Sequence, residues 1–528
     1  MASLVLTADR LILSRREVLA AFLGTAVACR ARREDPLPPG ELVGASHEVG
    51  HRLRDDGPPP RPSRWETHDV VIAGAGVAGL AAAWRLAHAN IRDVVMFELE
   101  PAIGGTSRSG ASYPWGAHYI IAPSEENRVL AQLLHEMGVM ENGVTGNVVA
   151  EQFLCRDPEE RLFYRGRWYE GLYPAAGATH EDLRQLRAFD AGIAKWTAWR
   201  DARGRRAFTI PIAYASDDAE VTALDRMSMR TWLDAHGFTS PRLRWFVEYA
   251  CRDDYGTLLD DTSAWAGVFY FASRDNRPVI TWPEGNGRLV AHLARSAPAR
   301  TGWLVAHIEP TENGVDVIAL RDDEAVGVHA KHVIFAGPQF VADRVIPSRP
   351  RSEGFTYGSW MVANLTLRDR PAPSPGFPLA WDNVLYDSPS LGYVVSTHQR
   401  GPDHGPTTLT YYYPLCDPDP HRARTHLLAT NRDAWADIAL TDLSRAHPDL
   451  RKLTTRIDVM RWGHAMIRPR PGFLTSPARA RASAPFRNVH FANTDLSGVA
   501  LFEEALYQGV RAGDAIVARL AAHDDRVR

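Results

Sequence analysis

Three glycines with the spacing of a dinucleotide-binding turn mark the most informative segment of the chain. Gly74, Gly76 and Gly79 follow the apolar run 70–73, which predicts a buried parallel strand, and an alanine-rich helical stretch comes after them. In this order the glycines allow a tight turn, close approach of backbone N–H groups to a pyrophosphate, and close packing of helix on strand. The helix N-terminus would add a partial positive charge facing the phosphates.

An acidic residue completes the pattern. Glu98 stands at the end of the second predicted strand, roughly 20 residues beyond the turn, where a carboxylate accepts hydrogen bonds from a ribose 2′-hydroxyl. Glycine turns alone are common in loops, but here strand, turn, helix, strand and acid occur in order. The sequence therefore predicts a dinucleotide-binding site.

A second glycine pair indicates which dinucleotide it is. Gly104 and Gly105 follow Glu98 closely, an arrangement that resembles the start of the flavin-containing amine oxidoreductase superfamily, with its amine oxidases, protoporphyrinogen oxidases and phytoene desaturases. The resemblance implies FAD as cofactor, with the glycine pair beside the diphosphate and the ribityl chain. The arginine usual after the pair is Thr106 here, and Arg108 is the nearby substitute.

The C-terminal part resembles the same superfamily. Segment 488–495 reads as a strand ending in polar groups, and a helix is predicted to begin near Phe502. By the resemblance, Asp495 would hold the ribityl or diphosphate region, and the amides of Phe502 and Glu503 would face the pyrimidine edge of the flavin. A helix N-terminus there favours an anionic reduced flavin. Val305, in another predicted strand, would contact the adenine through its backbone.

Two interleaved domains must position these motifs. The resemblance implies an α/β fold, in which a Rossmann-like FAD-binding domain of the GR2 type is interleaved with an α+β substrate domain. The predicted FAD domain comprises residues 67–139, 281–345 and 456–528, and the substrate domain comprises 140–280 and 346–455. Residues 30–66, rich in Arg, Pro, Gly and Asp, are predicted to form an extended lead-in.

Two histidines are the candidate catalytic residues. His464 lies in segment 461–472, just upstream of the closing motif, where the superfamily brings a tryptophan-containing loop to the flavin. A histidine there could act as a general base or orient a substrate. His118 lies in segment 115–120, which resembles the superfamily segment beside the flavin ring. A purely structural role remains an open alternative for each.

Two features of the true amine oxidases are absent. Those enzymes usually carry a lysine, water-bridged to flavin N5, in the region that corresponds to 360–367, and this segment around Ala363 has none. They also carry a tyrosine just before the closing helix, where Leu501 or Phe502 stands. Both absences favour a desaturase or isomerase that acts on C–C bonds of a lipophilic substrate. Segment 115–120 keeps amine or amino-acid oxidation open.

Three functions follow from these observations. The first is an FAD-dependent oxidoreductase that removes a hydride from a C–N bond of a small organic substrate, with dioxygen or a membrane quinone as the electron acceptor. The second is the lipophilic desaturase or isomerase. The third is a flavin-binding partner without turnover of its own.

The N-terminus resembles an export signal. Ser14, Arg15 and Arg16, followed by the apolar stretch 18–28, are similar to a twin-arginine motif, which directs export of folded proteins. Residues 26–29 resemble a loose lipoprotein cleavage box, in which Cys29 would become lipidated. We therefore expect recognition by the twin-arginine machinery and a periplasmic or membrane-anchored location. An ordinary helix and an uncleaved anchor are the alternatives.

Composition, net charge and cysteine spacing limit the remaining classes of function. The 528 residues carry a net charge of -3 and are 45% hydrophobic, values typical of a soluble globular enzyme. No basic face suggests a nucleic-acid partner. The four cysteines lack metal-ligand spacing, so no metal is expected.

Overall fold

Two β-sheets of different design organise the chain. The structure, a computed structural model, describes residues 36–143 and 146–527. The predicted export signal, its two arginines and Cys29 lie outside the described residues. The mixed α/β fold class is confirmed, and its elements have the following bounds.

The strands are β1 (Leu42–Gly44), β2 (Arg64–Ala73), β3 (Val94–Glu98), β4 (Tyr119–Ile121), β5 (Met140–Gly143), β6 (Gly146–Val149), β7 (Glu160–Tyr164), β8 (Arg167–Glu170), β9 (Val279–Thr281), β10 (Ala299–Thr301), β11 (Leu304–Pro310), β12 (Val315–Arg321), β13 (Glu324–Phe335), β14 (Tyr357–Leu367), β15 (Asp382–Leu385), β16 (Tyr393–Val395), β17 (Thr407–Leu415), β18 (Thr454–Ile467) and β19 (Val489–Phe491).

The α-helices are α1 (His47–Asp55), α2 (Val77–His88), α3 (Arg128–Glu136), α4 (His180–Ala198), α5 (Ala219–Ala223), α6 (Met229–Ala235), α7 (Pro241–Tyr255), α8 (Ala264–Ala272), α9 (Gly287–Leu293), α10 (Gln339–Val345), α11 (Pro420–Ala429), α12 (Arg432–Ser444), α13 (Leu450–Leu453), α14 (Pro477–Ser483) and α15 (Phe502–Val527). Among the described helices, none is both long and apolar enough to cross a bilayer.

The seven-stranded sheet carries the glycine motif. Its strand order is β10-β3-β2-β13-β12-β11, and β19 pairs with β13. Strands β10, β3, β2, β13 and β19 run parallel, whereas β12 and β11 are antiparallel additions. The apolar run 70–73 at the end of β2 is buried, as a central parallel strand requires.

Small residues let the first helix approach its neighbours. Helix α2 packs against α15, and a Cβ on Gly509 would lie 2.2 Å from the carbonyl oxygen of Ala78. A Cβ on Gly79 would lie 1.9 Å from the carbonyl oxygen of Gly74. The alanine and glycine content of both helices therefore follows from close backbone packing on the sheet.

The eight-stranded sheet is built from other segments of the chain. Its order is β1-β18-β14-β17-β16-β15-β7-β8, and β14 pairs antiparallel with β18 and β17. Strands from distant parts of the chain thus alternate between the two sheets. Strand β18 belongs to this sheet, although most of it falls within the FAD segment predicted to begin at 456. The domain bounds themselves stay a prediction.

The described part of the predicted lead-in, residues 36–66, is not simply extended. It contains β1 and helix α1, so that expectation was wrong. None of the residues of α1 is buried, although Leu53 packs against hydrophobic residues of the core. Glu48 in the first turn and Arg52 and Arg54 in the last turn complement the helix dipole.

Candidate functional site

A cavity of about 590 Å³ lies between the two sheets. One wall comes from the carboxyl ends of β2, β3 and β13, and another from β14, β17 and β18. In open α/β sheets, ligands bind at the carboxyl ends of the parallel strands. The cavity is therefore the candidate site.

Most of the residues singled out in the sequence meet there. The ones that line the cavity are Gly74, Gly76, Glu98, Gly104, Gly105, His118, Val305, His464, Asp495, Phe502 and Glu503. Gly79 lies outside this lining and packs on Gly74, the packing role its position implies.

Arg108 stands behind the cavity wall. Its guanidinium lies 3.3 Å from the carboxylate of Glu100 and 4.9 Å from the ring centre of Trp462. These contacts fix Glu100, which itself lines the cavity. Direct contact of Arg108 with a cofactor stays a prediction.

The glycine turn has the form that a diphosphate requires. Gly74 has a φ of 105°, in the region that favours glycine. Gly76 is the N-cap of α2 and makes no side-chain capping bond, and a Cβ placed on it would meet no atom within 4 Å. The space beside Gly76 is therefore open, and the first N–H groups of any helix lack acceptors within the helix itself. These residues fit the diphosphate of FAD.

Glu98 is held in a fixed orientation beside this turn. Its Oε2 accepts a hydrogen bond from the Ala75 N–H at 2.7 Å, and its Oε1 accepts one from the Glu100 N–H at 2.9 Å. Burial raises the pKa of Glu98. Each oxygen keeps acceptor capacity for a ribose hydroxyl.

The strand that carries Val305 has a bulge at this residue. The register between β11 and β12 shifts between Val305 and His307, and such a shift leaves local backbone groups outside the ladder. Val305 lines the cavity next to this bulge, and its contact with adenine stays a prediction.

Asp495 is fixed by two donors. Its Oδ2 accepts hydrogen bonds from the Gln339 N–H at 2.9 Å and from the Tyr357 hydroxyl at 2.6 Å. Burial raises the pKa of Asp495 to about 6. The tyrosine and Gln339 were not foreseen from the sequence.

Two adjacent acids begin the closing helix. The Oε1 of Glu503 accepts a hydrogen bond from the Ile121 N–H at 3.2 Å, and the Oε1 of Glu504 accepts one from the Ile212 N–H at 2.6 Å. Burial raises the pKa of Glu503, and burial raises the pKa of Glu504 to about 7. A carboxyl group whose pKa is raised by folding lowers the stability of the native state once the pH exceeds the pKa of the same group in the unfolded chain.

We therefore expect Glu504→Gln to stabilise the protein at high pH alone. The native state loses stability as the pH rises from the ordinary pKa of 4.5 through about 7, because the unfolded chain ionises first. The variant should gain about 1–3 kcal/mol in free energy of unfolding at pH 8 and little at pH 4. Denaturant unfolding of the apoprotein at both pH values measures this. The exposed Glu181→Gln change should not stabilise, and an equal gain at both pH values would refute the argument.

An aromatic group surrounds His118. Its ring lies 4.9 Å from that of Tyr412 and 5.3 Å from that of Trp381, between centroids. The Tyr412 hydroxyl donates to the carbonyl oxygen of Gly116 at 2.8 Å. Burial lowers the pKa of His118 to about 4, so the imidazole is neutral and only weakly basic near pH 7.

Acidic residues adjoin this aromatic group. Asp253, Asp254 and Arg274 line the cavity. Arg274 Nη2 lies 2.8 Å from both carboxylate oxygens of Asp254, and its guanidinium stacks 4.0 Å above the ring of Tyr270. Asp253 accepts a long bond from the Tyr270 hydroxyl at 3.5 Å. Burial and the nearby Asp254 raise the pKa of Asp253.

A third acid extends this region. Asp382 accepts a hydrogen bond from the Tyr249 hydroxyl at 3.3 Å, and it stands opposite Glu160 in the β15–β7 pair. Burial, Glu160 and Asp253 raise the pKa of Asp382 well above its usual range. Asp253 and Asp254 line the cavity at this end and Arg274 is paired with Asp254, whereas Asp382 lies outside the lining.

His464 has different neighbours. Its ring stacks on Phe340 at 4.1 Å and meets Tyr357 edge-on at 5.6 Å, on the side of the cavity where Tyr357 holds Asp495. Burial lowers the pKa of His464 to about 3. Neither histidine is thus tuned as a general base near neutral pH, and their catalytic roles stay predictions.

The alternation of β14 decides which of its residues face the cavity. Trp360 and Val362 line it, whereas Ala363, the centre of the segment compared with the lysine region of amine oxidases, does not. Leu501 and Phe502 also line it. The positions compared with the lysine and the tyrosine of amine oxidases are therefore apolar in this cavity.

Several site residues were missed in the sequence. Tyr412 stands in a run of three tyrosines, and the sequence did not single it out. Strand alternation places Tyr412 in the cavity lining and Tyr411 on the opposite face, where its hydroxyl donates to Asp442. Asp253 and Asp254 had no motif to mark them, since their neighbours at the site come from remote segments.

Comparison with known proteins relates most of this chain to one protein family. The family described as flavin containing amine oxidoreductase matches residues 77–517. The oxidoreductase PigB of Serratia sp. is 22% identical over 302 residues, which is 50% of this chain and 42% of that protein. The putative flavin-containing monoamine oxidase AofH of Mycobacterium tuberculosis is 32% identical over 203 residues, 37% of this chain and 39% of that protein. The chain thus spans about two fifths of the length of these curated relatives.

Solved structures share the fold. A variant of putrescine oxidase has a TM-score of 0.65 at 16% identity and covers 86% of this chain and 100% of its own. Cyclohexylamine oxidase from Brevibacterium oxydans has a TM-score of 0.61 at 18% identity, with 86% and 99% covered. A fatty acid isomerase from P. acnes has a TM-score of 0.59 at 15% identity, with 84% and 97% covered.

Proposed function

This chain belongs to the flavin-containing amine oxidoreductase family, and from that premise we propose that it oxidises a C–N bond of a cationic amine. It is an FAD-dependent oxidoreductase. The family supports an enzyme, so a flavin-binding partner without turnover finds no support.

The acidic and aromatic end of the cavity carries this proposal. Asp253 and Asp254 line it beside His118 and Tyr412, and the only cation named in that group, Arg274, is paired with Asp254. An ammonium group is favoured by carboxylates and by aromatic faces. A substrate carboxylate would find no cation in that group other than the already paired Arg274, which favours a simple amine over an amino acid.

The residues supply binding and proton transfer. FAD, when bound, accepts the hydride equivalent that leaves the substrate carbon. The carboxylate of Asp253 first takes a proton from the substrate ammonium, since burial raises its pKa toward that of a useful base. Loss of the hydride then converts the neutral amine C–N bond into C=N⁺. The neutral His118 and the ring of Tyr412 hold the substrate without repelling its charge.

A second candidate follows from the apolar residues. Val362, Leu501 and Phe502 line the same cavity at the positions compared with polar groups of amine oxidases. They favour a lipophilic substrate and C–C desaturation or isomerisation. The fatty acid isomerase shares the fold at a TM-score of 0.59, which is compatible with this candidate and does not select it.

Anaerobic reduction of the flavin distinguishes the two. The purified holoenzyme is mixed without oxygen with separate pools of amines, amino acids and apolar polyenes, and the visible flavin bands are recorded. We expect the amine pool alone to bleach them. Bleaching by polyenes alone, or by no pool, would refute amine oxidation. Adding dioxygen or a soluble quinone to the reduced enzyme then identifies the acceptor.

Export is the remaining part of the proposal. The twin-arginine-like motif and Cys29 support transport of the folded, flavin-loaded protein to the periplasm, with a lipid anchor at Cys29. Arg15→Lys together with Arg16→Lys should hold the protein in the cytoplasm, as cell fractionation would measure. Mass spectrometry of the mature N-terminus would show a lipidated Cys29. Unchanged export of the double variant would exclude this route.

A further inference from the structure

A segment that precedes the family match forms part of the cavity wall. The match begins at residue 77, whereas β1 and α1 lie before it. Seven residues of this segment line the cavity: Gly44, Ala45, Ser46, His47, Gly50, His51 and Leu53. The wall of the site thus includes a part of the chain that the family resemblance does not cover.

The segment is attached to both sheets. Strand β1 extends the eight-stranded sheet by pairing parallel with β18, Leu42 opposite Val459 and Gly44 opposite Arg461. At the other end, Leu53 packs against hydrophobic residues of the seven-stranded sheet. The chain between these two attachments therefore crosses the cavity.

A polar contact links the middle of the crossing to the ribose side. The Ser46 N–H donates to Glu100 Oε1 at 2.7 Å, and the Ser46 hydroxyl donates to Glu100 Oε2 at 3.2 Å. Glu100 is two residues from Glu98, and its N–H donates to the Glu98 carboxylate. The segment thus stands over the acid that would hold the ribose, with Val305 in the same cavity.

The segment that crosses the cavity is less buried than the strands of the two sheets. No residue of α1 is buried, and β1 is a three-residue edge strand. Elements with few buried contacts open at a low free-energy cost without global unfolding. Detachment of the segment is therefore cheaper than any separation of the sheets.

We propose that Leu42–Asp55 is a clasp that closes over the adenosine half of FAD and retains the cofactor. His47 and His51 belong to the clasp and line the cavity that would enclose the cofactor, and the cofactor leaves when the clasp detaches. The clasp acts on cofactor retention, so it holds whichever substrate the enzyme oxidises.

A loosened clasp tests the proposal. The double variant Ser46→Ala, Leu53→Ala removes one hydrogen bond to Glu100 and the apolar contact at the far end. We expect FAD to dissociate roughly tenfold faster or more, measured as the rise in flavin fluorescence after dilution of the holoenzyme. Ser63→Ala is the control, because it loses a serine hydrogen bond to Ala325 outside the cavity lining. An equal release rate in the double variant and the wild type would overturn the proposal.

Hydrogen exchange on the wild-type protein provides a second test of the clasp. The amides of α1 should exchange more slowly in the FAD-loaded protein than in the apoprotein, because bound cofactor fills the space under the clasp. Equal exchange in both forms would also overturn the proposal, even if the double variant failed to fold. Failure of the wild type to bind FAD would instead contradict the cofactor assignment.

Discussion

Gly76→Ala should yield a folded protein that binds FAD at least about 100-fold more weakly. The backbone at Gly76 has φ -71° and ψ -179°, which alanine adopts freely, and a Cβ there meets no protein atom within 4 Å. Nothing in the apoprotein therefore opposes the methyl group. The same methyl group would stand where the diphosphate approaches the first N–H groups of α2.

Titration of apoprotein with FAD, followed by flavin fluorescence, measures the affinity, and thermal unfolding of the apoprotein checks the fold. Gly192→Ala in α4 is the matched control, since its Cβ also meets nothing within 4 Å and it is remote from the cavity lining. The control should bind FAD normally. Unweakened binding by Gly76→Ala would remove the glycine turn from the cofactor site.

Asp253→Asn should lower kcat/KM for amine substrates about 100-fold. The change keeps the shape of the side chain but removes the negative charge and the ability to take the ammonium proton. The effect should fall mainly on KM if Asp253 binds the cation, and on kcat as well if it also accepts the proton. Steady-state kinetics on the amine identified by anaerobic reduction separates these outcomes.

The pH dependence of kcat/KM shows whether the Asp253 carboxylate must be ionised for activity. Burial and Asp254 raise the pKa of Asp253, so the wild-type carboxylate becomes protonated on acidification earlier than an ordinary aspartate. Wild-type kcat/KM should fall as the pH drops through that raised pKa, and this acid limb should vanish in Asp253→Asn. Asp260→Asn is the control, because Asp260 pairs with Arg230 at the surface. An unchanged profile in Asp253→Asn would exclude the carboxylate from substrate binding.

Local sequence determined the cofactor half of this protein. The glycine turn, the strand before it, Glu98 and the closing helix are each specified by residues close together in the chain, because turns need particular backbone angles and buried strands need apolar runs. Their expected order survives in the structure, and nearly all of the predicted cofactor residues line one cavity.

Only the tertiary structure determined which residues form the substrate side of the cavity. Strand pairing selected Val362 and Tyr412 as the cavity-facing residues of β14 and β17, since a shift of one residue reverses the face of every side chain. Folding placed Asp253 of α7 and His118 of segment 115–120 in the lining of one cavity, and burial then raised the pKa of the acid and lowered that of the imidazole. The segment Leu42–Asp55 became part of the site through the hydrogen bond of Ser46 to Glu100 and the pairing of β1 with β18. Such properties depend on neighbours far apart in the chain, so no local pattern could contain them.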